Sequence, residues 1–323
     1  MIIANAVALG IGFLLDIIFG VPQFFLHPLR LMGGLISVTE KVIRRIFPKG
    51  KVGEIIGGTL TLLIVITVSG GIPFVILFYL YKRDIFAGVA AESVICCLMI
   101  TSRSLGKNGL KIYYALLRRD IVTARKQLSV IVRRDTDSLD DAGVTKAAVE
   151  RIAENICSGV VAPIIYMALG GAVLGCVYRA VNMTYSMAGY KNGKDLYFGR
   201  AAAKLDGILN FFPSRIAAGL MIISSRILGF DSKNASYVHS RDARKGESPD
   251  SARTVSVMAG ALRIQLAGDA YYYGELYKKP LIGDSIKDVE YYNIRQASRI
   301  MYLTAVFTVV ITVAVKITIG YLI

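Results

Sequence analysis

On a helix, Glu150, Glu154 and Ser158 stand at i, i+4 and i+8 and stack on one face, with Arg151 and Asn155 in the neighbouring polar row. Two carboxylates at this spacing can share a divalent cation, above all one that carries nucleotide phosphates, because magnesium favours a few carboxylates together with phosphate and water. The same residues also read as a solvated helix end in which Arg151 pairs with the acids beside it. They open the stretch "ERIAENICSGVVAP", Glu150 to Pro163, where polar sequence gives way to a run suited to lipid or a dry core.

Three further groups could do chemistry. In "RRDTDSLDDAGV", Arg133 and Arg134 adjoin Asp135, with Asp137, Asp140 and Asp141 close behind. Adjacent arginines beside an aspartate suit a phosphate-plus-metal site, while "SLDD" also reads as a capping box for the helix that follows. In "NMTYSMAGYKNG", Asn182, Ser186 and Gly189 or Tyr190 share a helical face that runs into the turn residues Lys191, Asn192 and Gly193. Lys191 stands where a flexible cation reaches a phosphate; a helix cap with satisfied polar packing is the other reading. In "AAAKLDGILNFFPSR", Asp206 and Asn210 lie one turn apart before Pro213 and Arg215. An arginine so near an apolar segment is either a snorkelling anchor or an anion clamp.

At the start of the chain, "DIIFGVPQFFLHPLRLMGG" joins Asp16 to His27, Pro28 and Arg30. An ionisable group inside an apolar helix is a functional candidate, whereas His27 by itself reads as a packed interfacial histidine. P-loop, serine nucleophile elbow and paired-histidine metal motifs are absent from the sequence.

The elements that must position these residues are helices in a membrane. Of the 323 residues, 54% are hydrophobic and none is tryptophan, which is more apolar sequence than one soluble core needs. Apolar runs occur at about 2–19, 55–81, 85–101, 156–181, 211–229 and 300–323, against the ~20 residues a membrane helix requires. The formal charge of +15 does not indicate nucleic acid, since 32 of the 38 Lys and Arg fall in the polar segments between these runs rather than on aromatic-laced stripes. That distribution places the polar segments on the cytoplasmic side of the cell membrane. The N-terminal run lacks the basic lead and small-residue cleavage site of a signal peptide and is read as a retained first membrane helix.

Simple alternation fails at 156–181, which as one straight span would put Glu154 and Asn182 on opposite sides. Pro163, Gly170, Gly171 and Gly175 offer a way out, so a broken or re-entrant helix is expected there. Cys96, Cys97, Cys157 and Cys176 lie within apolar runs at spacings that suit neither a metal nor a disulfide framework, and read as buried small hydrophobes. The expectation is a mainly α, polytopic integral membrane protein with helical cytoplasmic loops, forming a single domain over 1–323.

Taken in order, "LDIIFGVP" with "HPLRLMGGLI", "RDTDSLD", "ERIAENICSGVVAP", "NMTYSMAGYKN", "FGRAAAKLDGILNFFPSR" and a weaker "SPDSARTVSVMAGALRIQLAG" resemble the CobD/CbiB family, the membrane-associated adenosylcobinamide-phosphate synthases of cobalamin assembly. The resemblance runs from Asp16 to about Gly268. It implies ATP- and magnesium-dependent amide formation between adenosylcobyric acid and an aminopropanol phosphate or related amino alcohol. The partners implied are the corrinoid substrate, the amino alcohol phosphate, membrane lipid, and a second copy or other cobalamin-assembly proteins. Under it, Glu150, Glu154, Asp135 and Asp206 are metal and nucleotide candidates, Arg133, Arg134, Lys191 and Arg215 are phosphate clamps, and Asn155, Asn182 and Asn210 orient substrate or metal-bound water. His27 is the candidate to take the amine proton.

The chain departs from the family pattern, which has aspartate where this sequence has Ser158, Tyr185 and Gly207; "GESPDSA" also replaces an "HPSPNAG"-like stretch. Up to three negative charges are thereby removed from a site expected to bind magnesium. Two readings follow: an active synthase or sister ligase, and a paralogue without catalysis that serves as a membrane binding or interaction protein. A transporter component rests on the hydrophobic spans alone, and the long, motif-bearing polar segments disfavour it.

Overall fold

The computed structural model describes residues 1–20, 28–47, 50–188, 197–246 and 248–322. The fold is mainly helical: α1 (Ile2–Ile18), α2 (Pro28–Ile46), α3 (Lys51–Arg83), α4 (Ile85–Met99), α5 (Ser102–Leu117), α6 (Ile121–Ser129), α7 (Asp141–Asn155), α8 (Ala162–Ala188), α9 (Arg200–Ile227), α10 (Ser232–Asp242), α11 (Pro249–Leu262) and α12 (Tyr292–Leu322). Among the described residues, five helical runs are long and apolar enough to cross a membrane: 51–83, 85–117, 141–188, 200–227 and 292–322. The N-terminal run forms a helix of 17 residues, about 26 Å long and a little short of the ~30 Å hydrocarbon core. The run expected at 211–229 is the second half of a longer helix, because the alanine-rich stretch from Arg200 continues it towards the N-terminus. The four cysteines are buried, as expected.

The chain divides into two compact units, each drawn from separate stretches. The first comprises Met1–Thr101, Ala162–Phe211 and Val309–Ile323. In it α1 packs on α4, and α3 packs on α2 and α8. Contact is close enough at Gly12 that a Cβ would lie 2.6 Å from the Cys96 Cβ and 2.7 Å from the Ser93 carbonyl, the close approach that small residues permit between membrane helices. Small apolar clusters, Ile36–Val65–Ala180 and Leu62–Val181–Ala202, fill the seams. Phe74, Val75 and Phe78 on α3 point outward, as lipid-facing residues do.

The expected break lies in α8. Pro163 does not cause it; the preceding π-helical turn, Ile156–Val161, absorbs the carbonyl that the proline would meet one turn back. The chain breaks at Gly170 (φ −135°, ψ 28°) and Gly171 (φ 69°, ψ −172°), leaving helical geometry for two residues. The freed Ala172 N–H donates to Glu92 Oε1 at 3.0 Å, and the same carboxylate accepts from Asn5 Nδ2 at 2.6 Å and from the Tyr81 hydroxyl. Beyond the break, buried Arg179 donates to the Met99 carbonyl at 2.7 Å and to Thr101 Oγ1 at 3.3 Å. Arg179 also lies close enough to buried Asp16 for their charges to interact, which gives that aspartate a counter-charge within the helices.

The second unit comprises Ser102–Val161 and Phe212–Thr308. Here α7 packs against α5 and α11, and α10 packs on α11. The helix after "SLDD" is capped by Asp140, whose carboxylate accepts from Gly143 N–H at 2.8 Å, so the cap lies two residues beyond the serine of the expected box. The polar stretch before α12 holds two small antiparallel sheets: β1 (Leu266–Ala267) with β4 (Leu281–Ile282), and β2 (Ala270–Tyr272) with β3 (Glu275–Tyr277). At the end of α10, the fully buried Asp242 carboxylate accepts from Arg241 Nε and Nη2, both at 2.8 Å, from Lys245 Nζ at 2.6 Å and from Gly283 N–H at 2.9 Å. These donors hold its carboxyl well below the usual carboxylate range, the Arg241 guanidinium above all.

Two outcomes follow. Gly171→Ala puts a Cβ at positive φ and 2.6 Å from Glu92 Oε1, and should cost about 1–3 kcal/mol; thermal unfolding in detergent checks this, and an unchanged midpoint would show the break to be independent of glycine. Because the folded-state pKa of Asp242 is depressed, its stabilisation is present above the unfolded carboxylate pKa of about 4 and is lost as pH falls below it. Asp242→Asn should destabilise the protein by about 3 kcal/mol at pH 7 and flatten the fall in stability between about pH 4 and pH 2, read from denaturant midpoints at each pH.

Candidate functional site

In the second unit α7 presents its two glutamates in different surroundings. Glu150 Oε2 lies 3.1 Å from Arg134 Nη1, with both side chains nearly buried, 13% and 12% exposed. Its Oε1 accepts from the N–H of Ala267, a residue held at φ 61°. One turn on, Glu154 is 42% exposed and pairs with Arg151 at 3.6 Å. The buried acid therefore works as a tie between the 133–135 loop, α7 and β1, while the second is open to a ligand.

Asp135 is also committed. Its oxygens accept from Tyr273 and Gly274 N–H, at 3.2 and 2.7 Å, and its own N–H donates to the Tyr271 carbonyl at 2.8 Å. Tyr273 and Gly274 form the β2–β3 turn with φ of 54° and 82°. A two-residue hairpin turn of this hand usually carries Asn-Gly, and the Asp135 carboxylate satisfies the turn amides where a tyrosine replaces the asparagine. Asn155 Nδ2 donates to the Arg151 carbonyl at 2.8 Å and closes the last turn of α7. Arg133 and Arg215 are exposed; beside Arg215, Ser214 Oγ donates to Asp250 Oδ1 at 2.8 Å.

The first unit holds a second polar cluster, between α8 and α9. Asn182 Nδ2 donates to Asp206 Oδ1 at 2.9 Å. One turn along α9, Asn210 Nδ2 donates to the Asp206 carbonyl at 2.9 Å, and its Oδ1 accepts from the Tyr178 hydroxyl at 2.8 Å. The Tyr178 ring stacks on Tyr166 at 4.9 Å, and the Tyr166 hydroxyl donates to the Leu209 carbonyl at 2.8 Å. Asp206 and Asn210 are 7% and 3% exposed, so these bonds satisfy polar groups that apolar helices would otherwise leave bare. His27 and Lys191 lie outside the described residues.

Sequence reasoning missed Glu92, Tyr166, Tyr178 and Arg179. A lone acid inside the 85–101 run marks Glu92, and Tyr178 stands one turn before Asn182 on the same face; both were visible signals.

Among the described residues no three His, Cys, Asp or Glu side chains converge as a metal cage. Magnesium that arrives with phosphates needs only one or two protein carboxylates. The site fits that lesser demand through Glu154, with Glu150 already held by Arg134 and Ala267.

The model of the family described as CobD/Cbib protein matches residues 9–301. The chain belongs to the CobD/CbiB family. Cobalamin biosynthesis protein CobD of Clostridium perfringens is 38% identical over 306 residues, covering 95% of this chain and 96% of that one. The proteins of the same name from Geobacter metallireducens and Listeria monocytogenes are 36% and 37% identical, covering 96% and 91% of this chain and 98% and 93% of theirs. No solved structure matches.

Within this CobD/CbiB chain, the three positions at which the resemblance implied aspartate have different surroundings. Ser158 sits half-buried in the π-helical turn, and the half-buried Tyr185 ring packs on the Leu62–Val181–Ala202 cluster. Gly207 is exposed on α9, and a Cβ there would meet nothing within 4 Å. Arg134→Ala should cost about 3 kcal/mol, because it strands the Glu150 charge. The double variant with Glu150→Ala should lose less than the sum of the two single losses; additive losses in denaturant unfolding would show that the pair does not act as a unit.

Proposed function

We propose that this protein is an ATP-dependent amide ligase of cobalamin biosynthesis, joining adenosylcobyric acid to aminopropanol phosphate or a related amino alcohol to give adenosylcobinamide phosphate. The observation that carries the reading is the arrangement on α7: one glutamate fixed by Arg134, and a second, exposed one a turn away, in a chain whose near-full-length relatives bear the cobalamin biosynthesis name.

A free carboxylate resists attack by an amine. The proposed route has the corrinoid carboxylate oxygen attack the γ-phosphorus of ATP, which forms an acyl phosphate and releases ADP. The amine nitrogen then attacks the acyl carbon, the C–O bond to phosphate breaks, phosphate leaves with the bonding pair, and the amine proton passes to a base. His27 is the proposed base. A magnesium ion carried by the phosphates would neutralise charge in the first step. Glu154 would hold it, and Arg134 would keep Glu150 fixed beside it. Arg133, Lys191 and Arg215 are the proposed phosphate contacts, Asn155 a proposed polar contact beside Glu154, and Asn182, Asn210 and Asp206 are proposed to orient substrate from the first unit. The polar segments that carry these groups are proposed to face the cytoplasm, where ATP is available.

A second reading is favoured by Tyr185, whose ring is used in apolar packing where the family pattern has an acid. In it the chain keeps the binding surfaces without catalysis.

Magnesium-dependent ATP turnover by the detergent-solubilised protein distinguishes the two. Turnover that requires both adenosylcobyric acid and aminopropanol phosphate supports the ligase, and none beside an active relative supports the second reading. Glu154→Ala should abolish amidation with the unfolding free energy changed by no more than about 0.5 kcal/mol, since the side chain is half-exposed; full activity would remove Glu154 from the mechanism.

A further inference from the structure

A pocket of about 410 Å³ opens beside the Glu150 tie, between the first turns of α7, the residue before β1 and the loop that precedes α12, all in the second unit. Its size suits a small molecule. Lys146, Gln265, Ser285 and Asp288 line it, with Ala142 and Val289 as apolar wall. Hydrogen bonds fix these segments in place. Glu150 accepts from the Ala267 amide one turn beyond Lys146, so β1 runs beside α7, and a Cβ on Gly268 would lie 3.8 Å from Lys146 Nζ. Gln265 Nε2 donates to the Gly283 carbonyl at 3.2 Å, and Lys287 N–H donates to the Arg263 carbonyl at 2.9 Å, which pins the 285–289 wall to the end of α11.

The polar groups of the lining are uncommitted. Among the described residues, Lys146 Nζ, Gln265 Oε1, the Ser285 hydroxyl and the Asp288 carboxylate make no hydrogen bond or ion pair. The charges that reach Lys146 are those of Glu150 and Arg134, and these two answer each other, Glu150 giving Oε2 to Arg134 and Oε1 to Ala267. The lysine is left as a cation without a partner. Of the other charges on these segments, Asp140 caps α7 and Asp284 pairs with Arg241, while Asp141, Lys287 and Glu290 are exposed and outside the lining. One cation and one carboxylate thus line the same pocket without meeting. A ligand that carries both charges satisfies both groups, whereas a simple anion or cation satisfies one and leaves the other. Lysine binds phosphate as a point charge.

We propose that this pocket binds an amino alcohol phosphate as a zwitterion, its phosphate on Lys146 and its ammonium on Asp288, with Gln265 and Ser285 as neutral contacts. The identity of the ligand rests on the ligase reading, which needs such a substrate close to α7. Lys146, Glu150 and Glu154 stand at successive turns of one face, so the lysine lies about 12 Å along the helix from the proposed magnesium ligand. No sequence motif marked Lys146, Ser285 or Asp288.

The test is calorimetric titration of 1-amino-2-propanol O-phosphate into the full-length protein in a phosphate-free maltoside detergent, beside isopropyl phosphate, the same molecule without its amine. The unaltered protein should prefer the amino compound about tenfold or more, the range for a charge-assisted hydrogen bond. Asp288→Asn should erase that preference while isopropyl phosphate still binds, a selective change that loss of structure does not produce. Lys146→Gln should weaken both ligands about tenfold or more, and Lys287→Gln, which removes a neighbouring cation outside the lining, should weaken neither. No binding of the amino compound, a preference that survives Asp288→Asn, or a loss in Lys287→Gln equal to that in Lys146→Gln would overturn the proposal. Displacement by glycerophosphoethanolamine as effective as by the amino compound itself would assign the pocket to a lipid headgroup and overturn it as the amine subsite. The two readings fail separately. The expected binding pattern without ATP turnover would keep the pocket and remove the ligase, and turnover by Lys146→Gln at an unchanged KM for the amine would remove the pocket and keep the ligase.

Discussion

The hydrogen bond from the Ala172 amide to the Glu92 carboxylate is the contact on which the first unit depends. A helix among apolar neighbours cannot break without exposing backbone donors and acceptors that no water will meet. Gly170 and Gly171 break α8, and a carboxylate from α4, steadied by Asn5 and Tyr81, takes the freed amide. Four segments thus meet at one charged group. The residues after the break, Tyr178, Arg179 and Asn182, owe their direction to it, and through them so do Asp206 and Asn210 on α9.

The second unit uses a buried carboxylate in the same way. Glu150 ties α7 to Arg134 and to the amide of Ala267, and Asp135 closes the neighbouring hairpin. In both units, buried acids hold backbone and neighbours in place. Of the two glutamates on α7, the one left open is Glu154, on the exposed continuation of the same face. Rigid placement of an exposed group by its buried neighbours is what the proposed phosphoryl transfer would require, since such chemistry rests on positioning and charge.

Much of this was legible in the sequence, for physical reasons. The length and apolarity of runs such as 55–81 and 300–323 admit little but membrane helices, and the glycine pair at 170–171 signalled the break. Helical spacing put Glu150 and Glu154 on one face, and the order of the motifs pointed to the family. Spacing along one helix carries no record of what another segment brings to it. That Arg134 takes up Glu150, that Asp135 serves a hairpin 136 to 139 residues further on, and that Glu92 meets Gly171 are long-range events. The short strands at 266–282 have too few residues to show a two-residue period, and their hairpin turns on a tyrosine where an asparagine would have announced it.

Gly320 on α12 packs against α1: a Cβ there would lie 2.9 Å from the Ile3 side chain and 3.4 Å from that of Ile2. The first unit therefore includes stretches from nearly opposite ends of the sequence, with the whole of the second unit's sequence between Thr101 and Val309 interleaved among them. During synthesis, α1 and α4 emerge early, yet the surface of α1 that meets the last turns of α12 lacks that neighbour until some two hundred residues after α4 have been made, a wait of order 10–40 seconds at ordinary rates of elongation. The second unit receives its last residues first. The order of the chain thus sets the first membrane helices to wait for the last.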